Sequence, residues 1–118
     1  MAGIVFLRTH NLKMIVDFYV NKINASIWLE QEGCTILKHG NFLFGFCERE
    51  GDLGHGWLLT FFYKHQKSVD DMYNLLKDTA VSKPEKNEKY NLYQFFAKDP
   101  EDRDLEFQVF LNDIDFEW

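Results

Sequence analysis

The chain's 118 residues are enough for one folded domain with a real core and too few for two conventional independent ones. A hydrophobic fraction of 46% with 17% aromatic residues, 12 of them Phe, excludes a disordered tail. A formal charge of -6 makes the average surface repel phosphate backbones and anionic headgroups, which argues against nucleic acid as a partner and is compatible with a neutral or cationic small molecule.

In chain order, Gly3 to Thr9 is apolar and β-rich and stops at His10-Asn11, where Asn11 can cap a helix. From Leu12 the apolar positions Leu12, Ile15, Val16, Tyr19, Val20 and Ile23 fall on one helical face, with Lys13 and Asp17 outward. Three β-patterned runs follow, Ala25 to Gln31, Cys34 to His39 and Asn41 to Glu48, separated by turn-forming Glu32-Gly33 and Gly40-Asn41. The charged stretch Arg49 to Gly56, with Gly51, Gly54 and Gly56, reads as an internal linker.

The pattern then restarts. Trp57 to Tyr63 predicts a strand; Ser68 with Asp71 resembles a capping box; Val69, Met72, Tyr73 and Leu76 mark a helical face. Ala80 to Lys89 contains Pro84 and can hold only a short or edge strand, before clear strands at Asn91 to Ala97 and Asp104 to Leu111. Asp99-Pro100-Glu101-Asp102-Arg103 between them predicts a hairpin tip in which Asp99 bonds back to the loop backbone. The element order is β-α-β-β-β twice, an α+β domain over 1-118 with module 1 at about 3-50 and module 2 at about 56-112.

No apolar run approaches the ~20 residues of a membrane helix, and Met1 to Arg8 lacks the features of a signal peptide, so a cytoplasmic protein is expected. The two cysteines, Cys34 and Cys47, form no CxxC motif and have no His at metal-like spacing; both read as reduced core thiols. The alternative, a Cys47 nucleophile, needs an electropositive setting, and Cys47 precedes Glu48.

This order, with Asp17-Phe18-Tyr19 in the first helix and the Asp99-Pro100 turn leading into Asp104-Leu105-Glu106-Phe107, resembles the vicinal oxygen chelate superfamily of glyoxalases, bleomycin-resistance proteins and extradiol dioxygenases. The run Cys34 to Phe44 is most similar to the bleomycin-resistance type. The resemblance implies two βαβββ modules forming a curved mixed sheet around a cleft, and for that type a homodimer that sequesters a drug, as in antibiotic resistance, without a catalytic metal. Enzymes of the superfamily hold a divalent metal on the first and last strands of each module. Those positions fall here on Ile4, on Phe44 to Phe46, near Gly56 or Trp57 with His55 close by, and on Glu106. Only Glu106 matches, with His55 a weak second candidate, whereas zinc-type sites take three or more protein donors.

Strand alternation sends Leu105, Phe107, Val109 and Leu111 toward a helix and Glu106, Gln108 and Phe110 to the opposite face; on the first strand Val5, Leu7 and Thr9 go to the helix, and Ile4, Phe6 and Arg8 to the other side. Arg8 and Glu106 can then orient a polar ligand or form an ion pair of their own. Trp28, Phe44, Phe46, Trp57, Tyr93 and Phe95 are aromatic candidates for a wall. The ligand-binding set expected is therefore Phe6, Arg8, Phe44, Trp57, Tyr93, Glu106, Gln108 and Phe110. Asp113, Asp115 and Glu117 either complement a cationic ligand or form a solvated end, and His10, His39 and His65 are assigned no role. Three readings follow: a small-molecule-binding protein without cofactor, a metal-dependent lyase, isomerase or dioxygenase, and an interaction module whose cleft its own aromatics fill.

Overall fold

In the computed structural model, which describes residues 1-118, the chain forms two compact units, Met1-Gly56 and Trp57-Trp118. The first contains β1 (Ile4–Thr9), α1 (Leu12–Asn21), β2 (Ser26–Gln31), β3 (Cys34–His39) and β4 (Phe42–Glu48). The second contains β5 (Leu58–Phe62), α2 (Gln66–Leu75), β6 (Glu85–Asn87), β7 (Leu92–Lys98) and β8 (Asp104–Phe110). This is the α+β arrangement of two βαβββ modules that the element order predicts.

Each unit holds a four-stranded sheet, ordered β1-β4-β3-β2 and β5-β8-β7-β6. The first strand of each runs parallel to the last, and the remaining neighbours are antiparallel. A parallel pair cannot be closed by a tight turn, so the helix carries the chain over one face to the far edge and two hairpins bring it back beside the first strand. Gly51, Gly54 and Gly56, in the last stretch of the first unit, have φ of 87, 86 and 85°. Side chains with a Cβ rarely adopt that region, which explains the glycines of the linker.

Asn11 caps α1 as expected: its extended backbone lets the side-chain oxygen accept the Met14 N–H at 3.1 Å. On the buried face of α1 the Tyr19 ring lies 5.4 Å from Phe44 and 5.1 Å from Phe46, building the first core on the sheet's helix side. In the second unit Phe107 stacks between Phe61 at 5.4 Å and Phe95 at 5.0 Å, and Tyr73 of α2 meets Phe95 edge-on. Burying each such ring contributes about 1.5–3 kcal/mol.

Several local expectations need correction. The Ser68–Asp71 capping box does not form, because α2 starts at Gln66 and Ser68 already lies in its first turn, donating its N–H to the His65 carbonyl. Trp57 precedes β5 and is exposed, and Leu111 lies past the end of β8, exposed instead of packed on a helix. The strand expected between Ala80 and Lys89 is the three-residue edge strand β6, starting after Pro84.

The Asp99–Arg103 hairpin tip contains more than the turn. Asp99 Oδ1 accepts the Glu101 and Arg103 N–H groups at 2.8 and 3.1 Å, while Asp99 Oδ2 takes a 2.9 Å bond from Arg103 Nη1. Both side chains are buried, and Glu101 adds a second carboxylate at 3.2 Å. An arginine this far from water needs such partners, and here they fix the β7–β8 register.

The reading of Cys34 and Cys47 as reduced thiols is overturned: they form a disulfide. The two residues are direct partners across β3 and β4, and the Glu48 N–H bonds to the Gly33 carbonyl just beyond them. That places the cysteines at a non-hydrogen-bonded pair, where opposed side chains approach most closely; their Cα atoms are 4.1 Å apart. The sequence showed two thiols without a motif, but only the register puts one opposite the other.

Candidate binding faces of the two sheets

Alternation gives each sheet one side packed on its helix and one side facing away from it. In the second unit the helix-free side carries Thr60 and Phe62 from β5, Glu106, Gln108 and Phe110 from β8, and Gln94 and Phe96 from β7. Four of its polar side chains join in one chain of hydrogen bonds. Thr60 Oγ1 donates to Glu106 Oε1 at 2.8 Å, Gln94 Nε2 donates to Glu106 Oε2, and Asn87 Nδ2 of β6 donates to Gln94 Oε1 at 2.8 Å. The chain thus crosses all four strands of the sheet.

Glu106 is 8% exposed and Gln94 and Gln108 are each 7% exposed, so these groups are largely out of water. A buried carboxylate is tolerable when donors satisfy its oxygens, and both oxygens of Glu106 have one. No buried side-chain nitrogen or oxygen lacks a partner.

At one end of the same side, Phe62 gathers an aromatic cluster. Its ring centroid lies 5.6 Å from Phe110, 4.8 Å from Phe116 and 5.3 Å from Trp118, and the last two rings are 4.7 Å apart. The acidic end is therefore anchored by its aromatic residues, while Asp113, Asp115 and Glu117 point into solvent. These contacts were not legible in the sequence, where Phe116 and Trp118 lie beyond any periodic element.

In the first unit the helix-free side carries Ile4, Phe6 and Arg8 from β1, Gly45 and Cys47 from β4, and Cys34 and Ile36 from β3. Phe6, half exposed, lies over Gly45: a Cβ there would stand 2.7 Å from the Phe6 ring. Glycine at 45 is what leaves room for that ring against the sheet.

The expected ligand set therefore divides. Glu106, Gln108 and Phe110 share the helix-free side of the second sheet, and Phe6 and Arg8 that of the first. Phe44 does not belong with them, being fully buried against Tyr19 on the helix side. Tyr93 also points to a helix, donating its hydroxyl to Asp70 of α2 at 2.6 Å, and Trp57 is an exposed residue before β5. Asp70, with a smaller contribution from burial, pushes the Tyr93 phenol up to about 12. Thr60, Gln94, Asn87 and Phe62 were missed. The signal for Gln94 was present, since one polar residue interrupts the run from Leu92 to Ala97 and the hairpin tip sets it diagonally from Glu106.

The residues present do not fit the metal centre of the superfamily's enzymes. Glu106 has both oxygens engaged, His55 is an exposed linker residue, and in neither unit do three His, Cys, Asp or Glu side chains gather as a metal would need. His10 Nε2 lies 2.6 Å from the Gly51 carbonyl, and His39 has its pKa lowered by burial, an effect partly offset by a backbone hydrogen bond with Asn24. No helix is long and apolar enough to cross a membrane.

No family model matches the sequence, and no curated protein is similar to it. Solved structures are similar in fold over nearly the whole chain. A glyoxalase/bleomycin resistance protein/dioxygenase family enzyme from Burkholderia phytofirmans has a TM-score of 0.79 at 19% identity, covering 92% of this chain and 97% of its own. An integron cassette protein from the mobile metagenome of the Halifax Harbour sewage outfall has a TM-score of 0.80 at 16% identity, over 92% and 97%. Lactoylglutathione lyase from Agrobacterium tumefaciens has a TM-score of 0.75 at 16% identity, over 92% of each chain. With two βαβββ modules and these neighbours, the chain has the glyoxalase/bleomycin resistance/dioxygenase fold, that of the vicinal oxygen chelate superfamily.

Proposed function

We propose that this protein binds a small molecule, cationic or rich in hydrogen-bond donors, without a metal cofactor, and sequesters it as bleomycin-resistance proteins do. The observation that carries this reading is Glu106, a buried carboxylate linked to Thr60 and Gln94 on a sheet side otherwise lined by Phe62, Phe96 and Phe110. An ammonium or amide group competes there with the Thr60 hydroxyl for one carboxylate oxygen, and the rings supply apolar and cation–π surface. The overall charge of -6 favours a cation over an anion.

A cytoplasmic homodimer belongs to the same reading. The exposed edge strand β2, with Ile27, Trp28 and Leu29 outward, supports an intermolecular contact. The metal-dependent lyase or dioxygenase reading lacks the donors it needs. The interaction-module reading draws support from the low exposure of Glu106, Gln94 and Gln108, which leaves little of the polar row open to a ligand.

Trp28, Trp57 and Trp118 are all about half exposed and serve as internal probes. Titration with bleomycin and with other cationic aromatic compounds should change their emission saturably, and Glu106→Gln should weaken that binding at least tenfold. If no cationic compound gives saturable binding, the receptor reading falls and the interaction module takes its place.

A further inference from the structure

We propose that Cys34–Cys47 is a reversible thiol–disulfide exchange centre, open to a low-molecular-weight thiol from the helix-free side of the first sheet. Four observations converge. Neither cysteine is fully buried, so the pair is not sealed in the core. They sit opposite one another at a non-hydrogen-bonded position, so the bond opens and closes without disturbing the backbone ladder on either side. Arg8 is the register neighbour of Cys47 across the parallel β1–β4 pair, and its side chain leaves the sheet on the same side. Glu48, whose charge argued against a reactive Cys47, projects to the opposite side, where its Oε1 accepts the Leu12 N–H at 3.0 Å. Cys47 therefore shares its side of the sheet with a neighbouring arginine while the adjacent carboxylate is turned away, the kind of setting that favours a thiolate as leaving group.

The exchange balances as follows. The thiolate of the small molecule attacks Cys34 Sγ, a new S–S bond forms, and the Cys34–Cys47 bond breaks with its electron pair going to Cys47, on the side of the sheet that carries Arg8. A second small-molecule thiolate attacks the sulfur of the first in this mixed disulfide, giving the oxidised small-molecule disulfide and the Cys34 thiolate. The two protons of the reacting thiols end on Cys34 and Cys47, so two thiols are oxidised and one protein disulfide is reduced. Residues 35–46 between the cysteines keep their pairing through the remaining β3–β4 register and the turn at Gly40, whose φ of 60° suits a tight reversal. In a reducing compartment such a pair cycles, whereas an inaccessible structural disulfide stays closed.

The test uses the intact protein, incubated without denaturant in reduced glutathione at millimolar concentration, quenched with an alkylating agent and read by mass spectrometry, with circular dichroism in parallel. The expected result is reduction with retained secondary structure and re-formation on adding oxidised glutathione. With oxidised glutathione, Cys47→Ser should hold a glutathione adduct on Cys34, one glutathione thiol being released, and Arg8→Gln should slow native-state exchange of the wild-type cysteine pair about tenfold, the effect of one lost neighbouring positive charge. Arg49→Gln, which removes an equal charge near the same sheet end, should leave the rate within twofold. Reduction only in urea would overturn the proposal and leave a structural staple. An Arg8→Gln rate equal to wild type, or slowing by Arg49→Gln as large as by Arg8→Gln, would overturn the leaving-group assignment.

Discussion

Removing Glu106 tests whether the buried polar row is held together by that one side chain. Glu106→Ala leaves the Gln94 Nε2 donor without its acceptor in a residue 7% exposed. An unpaired buried amide donor costs about 1–3 kcal/mol. The half-buried Thr60 hydroxyl can turn to another partner and adds little, whereas the space left by the missing carboxyl group adds more, giving a total of about 2–4 kcal/mol. Glu106→Gln has the same shape. Its amide oxygen can accept from Gln94 while its amide nitrogen donates to the Thr60 hydroxyl, which accepts as well as donates, so the cost stays under about 1 kcal/mol. Urea unfolding followed by tryptophan emission measures both, with unchanged slopes showing that the midpoints report stability. Equal losses for the two variants would refute the reasoning, because the carboxylate would then be needed for its charge and not for its two acceptor oxygens. Ligand titration of Glu106→Gln on the same samples separates the roles, since the charge matters to a cationic ligand even where the fold is indifferent to it.

Tyr93 makes the alkaline limb of stability predictable. Its folded pKa is pushed up to about 12 by Asp70, against 10.0 for the unperturbed phenol, so the stabilisation is fully present below pH 10 and is lost as pH rises through the folded value. Phenolate absorbance should show two tyrosines titrating late, Tyr93 and Tyr63, whose phenol is pushed up by burial alone, and Asp70→Asn should move one of them back toward 10; two late titrations unchanged by Asp70→Asn would exclude this hydrogen bond as the cause for Tyr93. Asp99→Ala strips a buried guanidinium of its nearest carboxylate, and breaking such a pair by removing one partner costs about 3–5 kcal/mol. A thermal midpoint close to wild type would show that Glu101 alone suffices for Arg103. The disulfide closes a loop with a sequence separation of 13, for which chain entropy gives about 3 kcal/mol. Reduction should lower the unfolding free energy obtained from urea titration by no more than this, because the Gly40 turn already confines the hairpin; identical free energies with and without reductant would show that the bond adds nothing.

What the sequence determined by itself was the succession of elements and the side of the sheet to which most strand residues belong. Apolar spacing from Leu12 to Val20 marked α1, Asn11 marked its start, and alternation along Asp104–Phe110 separated Leu105, Phe107 and Val109 from Glu106 and Gln108. These signals are local, written in the helical and strand periods, and they survive without knowledge of what lies opposite. Cross-strand partners are different. Whether two cysteines 13 positions apart form a bond, whether Gln94 reaches Glu106, and whether Phe116 and Trp118 fold back on Phe62 depend on register and chain return, which pair residues far apart in sequence. The same limit explains Phe44 and Tyr93: their aromatic character suited a binding wall equally well, and only the placement of α1 and α2 decided that both face a helix.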